Sequence, residues 1–156
     1  MRRSLMVFAL SLAACGGRTG QVTPVPEAEI GLRNFMDAAA DSNYVRMSEN
    51  WGTSRGAASE TGNPPDYQQR MVIIQGYLLG IKYRVLSNDP VLNSSNQRTL
   101  QVELTRGPCQ QTVPFTMART GSGRWVVNQF DLEKVGPPTR SCTSAPASPP
   151  AGSPPN

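Results

Sequence analysis

The chain contains no histidine. That absence removes Ser-His-Asp and Cys-His nucleophilic sets, the usual zinc sites, and the side chain best matched to proton transfer near neutrality. The three cysteines, Cys15, Cys109 and Cys142, contain no Cys-X-X-Cys pair, so a thioredoxin-like redox motif is missing too. No glycine-rich phosphate loop occurs; Gly121-Ser122-Gly123 reads as a hairpin tip, and no cofactor is implied. No apolar run approaches the roughly 20 residues that a membrane-crossing helix needs. The 15 basic and 11 acidic residues are scattered rather than grouped, which gives nucleic-acid binding little support. Four Phe, four Tyr and two Trp are the whole aromatic stock, so the same few rings must serve both the core and any pocket.

What is present begins with Arg2 and Arg3, then an apolar stretch from Leu5 to Leu12, then Ala13-Ala14-Cys15. This is the layout of an export signal: a charged start, a short apolar segment and small residues before a cut. Leu12-Ala13-Ala14-Cys15 resembles a bacterial lipobox. The resemblance implies cleavage before Cys15, acyl chains on that cysteine, and a chain tethered to a membrane in the cell envelope. The paired arginines are weak evidence for twin-arginine export, and general secretion is the default. Gly16 follows the cysteine where enterobacterial lipoproteins retained at the inner membrane carry Asp, so the outer membrane, facing the periplasm, is favoured. The competing reading is an ordinary cleaved signal with a cysteine nearby. Loss of Arg2 and Arg3 with residues 1–14 lowers the formal side-chain charge from +4 to +2. In an exported protein disulfides persist, and Cys109 is expected to pair with Cys142; two unpaired thiols are the alternative.

Four segments follow: a signal peptide 1–14, a Gly/Pro-containing tether 15–26, one folded domain 27–135, and a Pro/Ser-rich tail 136–156 that reads as disordered or polyproline II. Within the domain, Glu27–Ala40 is expected as a helix with Ile30, Phe35, Ala38 and Ala39 on its apolar face. Asp41 or Ser42 can cap a short second helix that packs through Tyr44, Val45, Met47 and Trp51. Residues 52–63 read as a loop. A third helix starts at Asn63-Pro64-Pro65, with Tyr67, Met71, Ile74 and Leu78 as its buried stripe. After Gly80 the period becomes two: Ile81/Tyr83/Val85, Leu100/Val102/Leu104 and Val113/Phe115/Met117 read as half-buried antiparallel strands. Pro114 marks a strand edge. The parity change between Trp125/Val127 and Phe130/Leu132 places a bulge near Asn128. The expected class is α+β, with N-terminal helices packed on a curved antiparallel sheet of about four strands.

Three helices followed by such a sheet resemble the nuclear transport factor 2-like superfamily, a cone-shaped α+β fold. The residues that carry the likeness are Asn34-Phe35-Met36-Asp37-Ala38-Ala39-Ala40, Trp51-Gly52-Thr53, and Gly123-Arg124-Trp125-Val126-Val127. The resemblance covers about 27–135 and is closer to uncharacterised lipoprotein members than to the enzymes. It implies a cavity between helix and sheet, with Phe35, Trp51, Tyr67, Met71, Tyr77, Tyr83, Phe115 and Trp125 as candidate lining, each of which could equally be core. Some enzymes of the superfamily use an Asp base and a Tyr donor; the corresponding candidates are Asp37, Asp66, Tyr67 and Tyr83. Many members pair through the open face of the sheet. The expectation is therefore a lipid-anchored, non-catalytic binding or scaffold protein, with an envelope protein or a second copy as partner. The alternatives are a carrier of small hydrophobic ligands and an isomerase- or cyclase-type enzyme.

Overall fold

The computed structural model describes residues 27–139. The signal segment, the tether with Cys15, Cys142 and the rest of the tail lie outside these residues. Helix α1 (Glu27–Ala40) opens with Glu27 and Glu29, whose charges complement the N-terminal end of the helix dipole. It buries Ala28, Gly31, Leu32, Phe35, Met36, Ala38 and Ala39. The spacing of three and four residues puts these on one broad face. Ile30 lies off that face and is exposed, contrary to expectation. The helix ends where Ser42 takes a left-handed conformation at φ 53°. Asn43, rather than Asp41 or Ser42, caps α2 (Tyr44–Glu49) by accepting a hydrogen bond from Arg46 N–H. Met47 is the buried anchor of α2, whereas Tyr44 and Val45 face water.

The expected loop 52–63 is instead a miniature hairpin, β1 (Gly52–Thr53) and β2 (Gly56–Ala57), followed by the single-turn helix α3 (Ala58–Thr61). A distant strand supplies the reason. Val127 N–H donates to the Asn50 carbonyl at 2.9 Å, and Trp51 bridges Val127 in parallel, so the segment adds to the sheet edge. Helix α4 runs from Tyr67 to Leu78, three residues later than the proline pair implied, because Pro64 C=O first closes a turn with Tyr67 N–H. Met71, Ile74 and Leu78 of the expected stripe are buried, and Tyr67 is half-buried. Gln75 is also buried, where its amide donates to the Ser42 hydroxyl at 2.9 Å and locks α4 to the α1–α2 turn.

The sheet is β3 (Lys82–Pro90), β4 (Gln97–Arg106), β5 (Cys109–Arg119) and β6 (Trp125–Phe130), antiparallel throughout, in the order β3-β4-β5-β6. The α+β class, with N-terminal helices followed by an antiparallel sheet of four strands, is the one expected. Leu100, Val102, Leu104, Val113, Phe115 and Met117 all point inward and are essentially fully buried. Two bulges bend the sheet around α1. One is the foreseen bulge: Thr116 pairs with Gln129 and Met117 with Val127, which leaves Asn128 as the extra residue. The other, at Leu86, lies between Val85↔Val102 and Ser87↔Gln101 and carried no sequence signal. The β6 ladder stops at Phe115↔Phe130, so the missing N–H of Pro114 falls where β5 is an edge on that side.

Asp131 caps a last turn of helix, α5 (Leu132–Val135), which was not foreseen. Gly136 and Pro137 are not free tail either. Arg106 on β4 donates to both of their carbonyls at 3.0 Å and also to the Tyr77 carbonyl at the end of α4. The half-buried guanidinium thus ties α4, the β4–β5 hairpin and the exit of the domain together.

Candidate functional site

Among the described residues a groove of about 580 Å³ lies between α4 and the end of β6. Asp66, just before α4, and Arg70, Ile73 and Ile74 of α4 form one wall; Asn128, Gln129, Phe130 and Leu132 form the other; Trp51 stands beside them. Each element has a local reason to be there. Phe130 stacks on Phe115 with centroids 4.4 Å apart and meets Phe35 edge-on at 6.2 Å, so the groove wall is rooted in the core. Asn128 is displaced toward β1 by the bulge, and its amide donates to the Gly52 carbonyl at 2.8 Å. Ala58 N–H donates to the Trp51 carbonyl at 2.7 Å, which together with the Val127 bridge fixes the tryptophan backbone from two sides.

The charges at the rim neutralise each other. Arg70 Nε reaches both carboxylate oxygens of Asp66 at 3.0 Å, one helical turn away. That bond holds the Asp66 carboxyl below its usual range. The pair is about half exposed, so it shapes the rim more than it stabilises the fold. The rest of the surface is apolar, apart from the amides of Asn128 and Gln129 and the Trp51 indole. Neither the Gln129 amide nor the Trp51 N–H makes a hydrogen bond within the described residues, and both residues are at least partly open to solvent.

Of the eight residues expected to line a pocket, Trp51 is the one on this groove. Phe35, Met71 and Phe115 are fully buried core. Tyr77, Tyr83 and Trp125 are half-buried and pack against that core. Tyr67 is half-buried at the start of α4. Ile73, Arg70, Gln129, Phe130 and Leu132 were not singled out. A signal for the helix wall was present: Met71-Val72-Ile73-Ile74 is a run of four apolar residues, more than one helix face can bury. Val72 and Ile73 are accordingly 52% and 54% exposed.

The four acid–base candidates separate. Asp66 is bonded to Arg70, and Tyr67 adjoins it in sequence only. Asp37 lies within electrostatic reach of Tyr83, whose hydroxyl is raised above its usual pKa, first by burial and then by the negative charge of Asp37, while Arg33 opposes the shift. Arg33 and Asp37 stand one turn apart on α1 and both are exposed. Among the described residues no group of three or more His, Cys, Asp and Glu could hold a metal ion, and no helix is long and apolar enough to cross a membrane.

No family model matches the sequence, and no curated protein matches it. Solved structures similar in shape include the following three. A candidate ketosteroid isomerase from Shewanella frigidimarina shares 11% identity over 67% of this chain and 92% of its own, with a TM-score of 0.44. An NTF2-like protein of unknown function from Cytophaga hutchinsonii shares 12% over 72% and 96%, with a TM-score of 0.39. An NTF-2 like protein of unknown function from Shewanella oneidensis shares 13% over 67% and 93%, with a TM-score of 0.40. Likeness of this size decides neither family nor activity, and the functional reading below rests on the residues themselves.

Proposed function

We propose that the chain is a lipid-anchored envelope protein whose domain binds a partner or ligand without transforming it. The anchor rests on Leu12-Ala13-Ala14-Cys15 after its apolar segment. The binding role is carried by one observation: an amphipathic groove, rooted in the core through Phe130, with a charge-paired rim. Such a surface offers apolar contact and a few orienting polar groups, which is what recognition sites are built from. Two features favour binding over catalysis. Asp37 and Asp66 both face water, on different helices, and neither is enclosed with a reacting-group position as a general base requires. Histidine, on which the common nucleophilic triads and zinc sites depend, is missing from the sequence.

The proximity of Asp37 to the raised hydroxyl of Tyr83 supports a second reading, an isomerase-type site at the α1–β3 edge. It predicts that Tyr83→Phe and Asp37→Asn change turnover of an enolisable carbonyl compound. The groove reading predicts that they leave binding untouched.

The test is native mass spectrometry of the protein extracted from its own membranes in mild detergent. Acyl mass on Cys15 supports the anchor, and a Cys15→Ser protein that keeps its membrane fraction refutes it. A small molecule or second polypeptide that accompanies the wild type and is lost from Ile73→Asp supports the groove. A bound species that Ile73→Asp retains refutes it.

A further inference from the structure

The groove has a neutral, semi-apolar surface, hydrogen-bond donors along it, and an occupant within reach. Building on the binding reading above, we infer that it is made for an extended proline-rich segment, and that the chain's own tail around Ser148-Pro149-Pro150 and Ser153-Pro154-Pro155 is that segment.

Three observations lead there. The first is chemical. A polyproline II strand has no internal hydrogen bonds, so its carbonyls need donors while its rings need flat apolar contact. Grooves that take such strands present aromatic rings with donors between them. Trp51 and Phe130 provide the rings, Ile73, Ile74 and Leu132 the apolar walls, and the Trp51 N–H and Gln129 amide the unengaged donors.

The second is electrostatic. The charges in the groove are Asp66 and Arg70, and they are bonded to each other. A charged peptide or anionic ligand would have to compete with that pair. From Ser141 to Asn156 the chain carries no charged side chain, while it has prolines at 146, 149, 150, 154 and 155. The tail therefore matches the groove in having no net charge to satisfy.

The third is position. Arg106 holds Gly136 and Pro137 against the Tyr77 carbonyl, and Tyr77 lies three and four residues beyond Ile74 and Ile73 on the same helix. The chain thus leaves the domain about one helical turn from the groove wall. Residues 140–156 extended as polyproline II would span about 50 Å at 3.1 Å per residue, several times the distance required. A bond between Cys109 and Cys142 would leave residues 143–156, still long enough. A tethered segment faces the site at an effective concentration in the millimolar range, so modest contacts suffice to seat it.

The experiment uses the full mature chain, isotopically labelled, in detergent. It compares wild type with a variant in which Pro149, Pro150, Pro154 and Pro155 are replaced by glycine. Length is kept, polyproline II preference is removed, and residues 27–139 are unchanged. Expected are shifts at the Trp51 indole N–H and the Gln129 side-chain amide with no shift at Trp125. Millimolar peptide of residues 143–156 added to the variant returns both to their wild-type positions. Superimposable spectra of wild type and variant overturn the inference. So do shifts that appear only on raising protein concentration, since the occupant would then be a second copy. If the tail variant is silent while Ile73→Asp still loses a bound species in the native spectrum, the groove reading stands and the tail inference falls. If both are silent, both fall.

Discussion

Gly31 sits in the middle of α1, where alanine ordinarily stabilises a helix by about 1 kcal/mol. Here it should do the reverse. A Cβ on Gly31 would overlap the Trp125 carbonyl oxygen and lie 3.0 Å from its carbon and 3.2 Å from the Trp125 Cβ. Most of these atoms are backbone of β6, so no rotamer change clears them. Helix α1 would have to rise from the sheet by about 1 Å, loosening Leu32 and Phe35, which are both fully buried. Overpacking of this kind costs roughly 1–3 kcal/mol, and a rigid backbone neighbour belongs at the upper end. After subtracting the helix-propensity gain, Gly31→Ala should lose about 2 kcal/mol of stability. For a domain of this size that is a melting temperature lower by roughly 8 °C. Gly76 is the internal control: it is also helical, but a Cβ there meets nothing within 4 Å. Gly76→Ala should therefore gain up to about 1 kcal/mol. Urea unfolding followed by tryptophan fluorescence and circular dichroism measures both. A Gly31→Ala protein as stable as wild type would refute the close-approach argument, whatever Gly76→Ala does.

Arg106→Leu removes the donors to Tyr77, Gly136 and Pro137 carbonyls and should destabilise by roughly 2–3 kcal/mol, as loss of charged hydrogen bonds does. Arg106→Lys should recover only part of this, because one ammonium nitrogen cannot stand in for the two separated guanidinium nitrogens that serve Gly136/Pro137 and Tyr77; hydrogen exchange at 132–137 reads the difference. The Glu60 carboxyl is held below its usual range, first by the Ala57 N–H and then by Arg124. A depressed folded pKa means stability that is present above the ordinary value of 4.5 and is lost as pH falls through the folded pKa. Glu60→Gln should flatten the acid limb of a melting-temperature profile below that value and leave the neutral region little changed; an unaltered acid limb would count against the assignment. If Cys109 and Cys142 pair, Cys142→Ser should lower stability by roughly 3–4 kcal/mol in the chain-entropy model under non-reducing conditions. It should make no difference in reductant, and alkylation of the unreduced wild type should then add no mass at these two positions.

Much of the framework was legible because it depends on short-range periodicity. The two-residue alternation of Leu100/Val102/Leu104 and Val113/Phe115/Met117 found the inner face of the sheet, and a parity break alone located the bulge at Asn128. The 3.6-residue pattern found α1 and most of the buried stripe of α4. Local rules failed where a distant group intervened. Residues 52–63 look like a loop until β6 offers an edge for Trp51 to join. Gly136 and Pro137 look like the start of a free tail until Arg106, far back on β4, captures their carbonyls.

The candidate site divides along the same line. The proposed export signal and lipid anchor, like the absence of histidine, are read from residue identity and order, and no folding is needed to read them. Aromatic residues could be nominated for a pocket, but core and pocket demand the same side chains. Only packing separated Phe35, Met71 and Phe115, buried among their neighbours, from Trp51, left at a groove edge. The groove itself required α4, β6 and α5 to meet. Asp66 and Arg70 can neutralise each other from helical spacing alone, but Phe130 and Leu132 reach their wall through long-range strand pairing and the turn that Asp131 caps. Sequence determined what each segment could bury. Tertiary structure decided which apolar residues were left over, because that depends on how much surface the other elements had room to cover.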